Sequence, residues 1–242
     1  MASQPSSLLG PLDGLLLVDK PSGPTSHDIV ARIRRQFRIP KVGHGGTLDP
    51  MATGLLIILL GRGTKVSERI MGLDKTYEGV FRLGIETGSQ DAEGEVIAEC
   101  DPSAVTRDQV AAQMSARLGD QMQTPPMVSA VKVNGVPLYK LARKGQTVTR
   151  NPKLIHVYRF DLLDFTSPDV RFVLECTKGT YVRTLAHDIG QALEVGAHLT
   201  QLRRTHIGRF SVADAIPFDA LLERESLEDH VLPLASALSL LV

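Results

Sequence analysis

Leu55-Leu56-Ile57-Ile58-Leu59-Leu60 is an unbroken apolar run, and no other stretch restricts the fold as much. Bounded by turn-forming residues, it reads as a buried strand. Directly before it stands Gly43-His44-Gly45-Gly46-Thr47-Leu48-Asp49-Pro50-Met51-Ala52-Thr53-Gly54, with four glycines, one histidine and one carboxylate. Glycine at this density lets backbone approach a neighbour closely or take a positive φ, where a Cβ would clash. Pro50 removes an N–H and biases Asp49 toward extended backbone. The expected arrangement is a rigid loop presenting Asp49 and His44 at the end of a core strand. A purely structural turn is the competing reading, since these residue types are ordinary turn formers. His44-Gly45-Gly46 has the look of an esterase oxyanion loop, but the chain has no G-x-S-x-G. Gly61-Arg62-Gly63-Thr64-Lys65 lacks the spacing of a phosphate-binding P-loop.

The charge pattern points to a polyanion. Across 242 residues, 27 basic and 27 acidic side chains cancel, but they are segregated along the chain. Between Gln121 and Phe160 there are seven basic residues (Lys132, Lys140, Arg143, Lys144, Arg150, Lys153, Arg159) and no acidic one. Five more between Ser26 and Leu48 face only Asp28, and Arg203, Arg204 and Arg209 follow unopposed. Acids gather at Glu86–Asp108 and Asp214–Asp229. Such separation suggests a positive face for nucleic acid. Cys100 and Cys176 lie far apart without a C-x-x-C, so neither a zinc site nor a disulfide framework is expected. The N-terminus lacks the charged and apolar regions of a signal peptide and no segment is apolar enough to span a membrane, so the expected location is cytoplasmic.

Residues 1–10 read as disordered. Leu12–Lys20 is a first strand, and Thr25 or Ser26 caps a helix with Ile29, Ile33 and Phe37 on its apolar face. After the glycine loop and the buried strand comes a short helix near Thr64–Met71. Lys75–Leu83 is an alternating strand with Tyr77, Gly79, Phe81 and Leu83 on one face. Gly84–Gly94 is polar and turn-rich. Thr106 and Gln109 form a capping box for a helix over 107–118, with Gly119 as its stop. Asn134-Gly135 marks a hairpin, and Leu138–Lys144 a short basic helix. Strands are expected at Leu154–Phe165, Val170–Cys176, Leu199–Thr205 and Arg209–Val212, with a helix from Lys178 to Leu193. The tail from Pro217 reads as one acidic helix and a short apolar end. Strands mixed irregularly with helices indicate an α+β fold with a mixed, mostly antiparallel central sheet flanked by helices.

Five separated motifs then carry a resemblance. They are Leu17-Val18-Asp19-Lys20-Pro21-Ser22-Gly23, the loop from Gly43 to Gly54, Lys75-Thr76-Tyr77, Lys178-Gly179-Thr180-Tyr181-Val182-Arg183, and Gly196-Ala197-His198-Leu199 through Leu202-Arg203-Arg204. In this order, over Leu12 to Ile216, they resemble the bacterial-type tRNA pseudouridine-55 synthases. The resemblance implies a pseudouridine-synthase fold and isomerisation of uridine in the TΨC loop of tRNA, without metal or organic cofactor. It implies that Asp49 is the catalytic carboxylate, that His44 helps receive the flipped-out loop, and that Tyr77 stacks on the target base. Tyr181 and Leu202 would line the uracil pocket, and Arg183 would pair with Asp49. It implies too that 123–152 is a basic insertion gripping the T-arm. Lys20, Lys132, Lys140, Arg143, Lys144, Arg150, Arg203 and Arg204 are candidate contacts to the RNA backbone. The expected organisation is a catalytic domain over 11–216 and a tail over 217–242, with the family's usual PUA-type domain lacking or truncated. Two other classes fit less well. A non-catalytic RNA-binding module leaves Asp49 and Arg183 without purpose, and a small-nucleoside hydrolase needs no 40-residue stretch free of acid.

Overall fold

The computed structural model describes residues 12–129, 131–133, 135–142 and 144–241. The expectation of disorder over 1–10 lies outside the described residues. In chain order the first elements are strand β1 (Gly14–Lys20), helix α1 (Ser26–Gln36), β2 (Val42–His44), β3 (Thr53–Leu60), α2 (Ser67–Gly72) and β4 (Lys75–Leu83). Then come β5 (Ile85–Thr87), β6 (Val96–Glu99), α3 (Arg107–Ser115), β7 (Gly119–Gln123), β8 (Lys132–Val133), β9 (Val136–Pro137) and α4 (Leu138–Ala142). The remainder is β10 (Lys153–Thr166), β11 (Asp169–Cys176), α5 (Val182–Ala192), β12 (Ala197–Ile207), β13 (Phe210–Ser211), β14 (Ile216–Pro217), α6 (Phe218–Leu222), β15 (Val231–Pro233) and α7 (Leu234–Ser239). The chain forms two compact units, one from 1–75 with 203–242 and the other from 76–202.

In the first unit β3 pairs antiparallel with β1 along its whole length, from Gly14↔Leu60 to Lys20↔Gly54. The end of β12 pairs parallel to β3 through Arg203↔Thr53 and Arg204↔Gly54. The apolar run of β3 is unbroken because both of its faces are covered. Leu56, Ile58 and Leu60 pack with Ile29, Val30 and Ile33 of α1. Leu55, Ile57 and Leu59 pack on the other side with Ile70 of α2, Ile207, Phe210 and Ala237 of α7. Each such side chain withdrawn from water contributes about 2 kcal/mol. Helix α1 starts where expected, with Thr25 as N-cap in a reciprocal capping box with Asp28. Burial pairs with that box to fix the helix in place: the exposed face carries the arginines and the buried face the aliphatics.

The tail differs from the expected single acidic helix. Its residues form α6, β15 and α7, and β15 pairs antiparallel with β1 through Leu15↔Leu232. Phe218, Leu221, Leu227 and Val231 enter the same cluster as α1. The acids of this segment are exposed while its apolar side chains pack on the core, so composition alone did not show that it joins the core.

In the second unit the first half of β12, β4, β11, β10 and β7 follow one another in a sheet. The two pairings of β10, with β11 and with β7, are antiparallel. Gly79 lets the neighbours of β4 approach closely, since a Cβ there would lie 2.6 Å from the Phe172 ring and 2.7 Å from the Gln201 carbonyl. Three short strands, β5, β6 and β7, were not expected. All four residues of β6 are exposed, and β7 is mostly polar, so neither shows apolar alternation. Helix α3 has the expected Thr106–Gln109 box but ends at Ser115. Helix α5 begins at Val182, four residues later than Lys178, because Gly179 takes φ +80° in the turn before it. With antiparallel and parallel pairings mixed and helices against the sheets, the architecture is α+β. Among the described residues no helix is long and apolar enough to cross a membrane.

Candidate active site

Asp49 stands at the start of a turn closed by the Ala52 N–H donating to its own carbonyl at 3.1 Å. Pro50 occupies the second position, where its fixed φ suits the turn. Around this turn the backbone is held from three sides by buried side chains of the same unit. The Ser26 hydroxyl accepts from the Leu48 N–H at 2.8 Å and donates to the Leu48 carbonyl at 3.1 Å, one residue before Asp49. Beyond Asp49, Lys20 Nζ donates to the carbonyls of Pro50 at 3.0 Å and Ala52 at 2.7 Å, and also to Pro21. The Gly23 N–H meets the Pro50 carbonyl as well, at 2.9 Å. Arg204 completes the frame, donating to Leu55 O at 2.8 Å, Gly46 O at 3.0 Å and Thr47 O at 3.3 Å. Gly54, at φ +100°, is required here: a Cβ would lie 2.3 Å from the Arg204 carbonyl. Backbone held by so many charge-assisted bonds presents a half-buried carboxylate in one place.

Two expected RNA contacts are thereby corrected. Lys20 is 0% exposed and Arg204 only 2%, so neither cation reaches a phosphate. A buried charge needs partners, and loop carbonyls supply them. Arg203 is on the surface and forms a two-point ion pair with Asp19, at 3.0 and 2.7 Å. Lys140 and Lys144 are exposed, and Arg150 donates to the Pro125 carbonyl at 3.1 Å. Arg143 lies outside the described residues, as does the side chain of Lys132.

His44 ends β2, and its Nδ1 accepts from the Gly46 N–H at 3.3 Å. Burial pushes its pKa below 6.5, and the positive charges of Arg204 and His27 add to the effect. The neutral imidazole is the form that can accept that bond. A depressed histidine pKa stabilises the fold above the unfolded value, and this contribution is lost as pH falls through the lowered one. An NMR titration of the ring protons should therefore place the His44 midpoint below 6.5. A midpoint at or above the free value would contradict this environment.

The remaining expected site residues belong to the second unit. Tyr77 points to the buried side of β4 and Leu202 is buried on β12. Tyr181 is the N-cap of α5, without a side-chain cap of its own, and Arg183 follows in the first turn. A cation there opposes the helix dipole, and the structure shows what holds it. Arg183 is 2% exposed. It donates to the carbonyls of Ser89 at 2.8 Å and Val128 at 2.9 Å, and lies 3.4 Å from the Asp91 carboxylate. Asp91, itself 3% exposed, also accepts from the Glu93 N–H. Gln123 makes a two-way bridge to the backbone of Tyr181, at 2.8 and 3.0 Å.

Sequence reasoning missed Ser26, Asp91 and Gln123. Nothing in composition separates them from surface residues; only Ser26, beside Thr25 at a helix start, stood near a recognised signal. Asp49 and His44 fall in one unit, with Lys20, Arg203 and Arg204. Tyr77, Tyr181, Arg183 and Leu202 fall in the other.

Residues 34–182 match the family model "TruB family pseudouridylate synthase (N terminal domain)". Residues 183–239 match "tRNA pseudouridylate synthase B C-terminal domain", which extends past Ile216. The chain is 53% identical over 228 residues to the tRNA pseudouridine synthase B of Opitutus terrae, covering 93% of this chain and 95% of that protein. It is 45% identical to the protein of the same name from Syntrophotalea carbinolica, covering 94% and 75%. Among solved structures, a chain of a Cbf5-Nop10-Gar1 complex superposes with a TM-score of 0.75 at 29% identity, covering 99% of this chain and 68% of that one.

Proposed function

The chain belongs to the TruB family of pseudouridylate synthases, and from that premise we propose that it isomerises uridine to pseudouridine at position 55, in the TΨC loop of tRNA, in the cytoplasm. The reaction breaks the N1–C1′ glycosidic bond, turns the uracil and joins C5 to C1′. The hydrogen leaves C5 and N1 gains one, so nothing is consumed. Asp49 is the carboxylate that serves this exchange, by attack at C1′, addition at C6 or removal of the C2′ proton. A target inside a stacked loop has to be extruded first. Tyr77 stacks on the extruded base, His44 receives the opened loop, and Tyr181 and Leu202 line the uracil pocket. Arg183 supplies the positive charge that favours an ionised carboxylate. The observation that carries this reading is the side-chain frame of Ser26, Lys20 and Arg204 around the Asp49 turn. A reacting group fixed before substrate arrives avoids reorganisation during the reaction.

The site of action is read by carbodiimide adduct formation and primer extension on an unmodified tRNA transcript. One new stop reporting position 55, reproduced on an isolated T-arm stem-loop, is the expected result. Stops elsewhere, or none on the stem-loop, would overturn the assignment to the T-arm.

The exposed cations of the 123–152 segment serve the RNA backbone. Replacing Lys140 or Lys144 by Gln should lower the slope of log affinity against log salt by about 1 each, and weaken binding to all tRNA sequences alike. An unchanged slope in the double variant would refute their phosphate contacts.

A further inference from the structure

The root of the basic segment and the start of α5 are tied together at three points. Gln123 is the last residue of β7, and its side chain is 3% exposed. Its Oε1 accepts from the Tyr181 N–H at 2.8 Å, and its Nε2 donates to the Tyr181 carbonyl at 3.0 Å. That carbonyl also accepts from the N–H groups of Thr184 and Leu185, the first bonds of α5. The third tie is Val128 O, which accepts from Arg183, while within the segment Pro125 O accepts from Arg150. One amide side chain thus fixes both backbone polar groups of Tyr181 and the entry into the helix that carries Arg183. No side chain of Tyr181 does this work as a cap.

We propose that Gln123 is a positioning residue for the isomerisation, setting the orientation of Tyr181 and Arg183 and registering them to the segment that grips RNA. The inference rests on the roles given above to Tyr181 and Arg183. Gln123 meets neither substrate nor reacting atoms; it acts through the Tyr181 backbone. A small error there is carried to the Tyr181 ring and to the guanidinium, and a misplacement near 1 Å costs about 100-fold in rate.

The test uses Gln123→Met, which keeps length and volume without polar atoms, and Gln123→Glu, which keeps an acceptor for the Tyr181 N–H and loses the donor. Single-turnover conversion of tRNA at saturating enzyme is measured beside filter-binding affinity and thermal melting. Both variants should melt cooperatively above the assay temperature. Conversion should fall by about 10- to 100-fold in Gln123→Met, with affinity within about twofold of wild type. A merely structural role would not separate rate from affinity. Conversion at the wild-type rate in folded variants would overturn the positioning role alone. Loss of the cooperative melt in both would make Gln123 a folding residue and overturn it too. A wild type that binds tRNA without converting it would instead overturn the functional reading, and this inference with it.

Discussion

Asp49→Asn should hold tRNA nearly as well as the wild type and lose turnover by about 10⁴-fold or more, the scale seen when an acting group is removed. The substitution is nearly isosteric, and the backbone of the turn is held by bonds that do not involve the carboxylate. Ala52 N–H bonds to the Asp49 backbone carbonyl, while Leu48 and Pro50 are held by Ser26 and Lys20. The loop should therefore keep its form. A carboxamide can neither attack C1′, nor add to C6, nor accept the C2′ proton, so all three routes close at once. Removing one negative charge from the region that meets RNA gives no reason for weaker binding. Turnover within about tenfold of wild type would remove Asp49 from the chemistry.

Arg204→Met should produce the largest loss of stability. The guanidinium bridges three carbonyls, those of Gly46, Thr47 and Leu55, and methionine fills similar space with no donor. Each buried acceptor left unsatisfied costs about 1–3 kcal/mol. Breaking a buried charged network costs about 3–5 kcal/mol in total. For a chain of this size that corresponds to a melting temperature lower by about 10 °C or more. Lysine does not rescue it, since a single ammonium cannot span the same three points in a planar fork. The same change removes a positive charge that depresses the His44 pKa, so that pKa should rise toward 6.5. A melting temperature within about 2 °C of wild type would show that the loop carbonyls are satisfied without Arg204.

What the sequence made legible was what local chemistry alone determines. The six-residue apolar run marked β3 because burial on two faces leaves no room for polar alternation. The Thr106–Gln109 capping box marked the start of α3, since both partners lie within one turn. The loop around Asp49 was legible as a loop because glycine and proline restrict backbone directly. Lys20 and Arg204 were misread because a cation in a sequence carries no record of burial. Their partners are carbonyls 30 to 158 residues removed or adjacent in chain, brought together by β1, β3 and β12. Gln123 and Asp91 were invisible for the same reason: each acts on backbone or side chain supplied by a distant element. The short strands β5, β6 and β7 carry no run of alternating apolar residues, β6 being exposed throughout and β7 mostly polar, so no periodicity announced them.

The central claim is that this chain uses Asp49 to exchange a glycosidic N–C bond for a C–C bond. Tritium release from an unmodified tRNA transcript carrying C5-tritiated uridine measures that exchange most directly, because the C5 hydrogen must leave when C5 joins C1′. Wild type should release label toward one equivalent per tRNA, and Asp49→Asn, bound to the same tRNA, should release none above background. Wild type that binds tightly without release, or Asp49→Asn that releases label at the wild-type rate, would contradict the account.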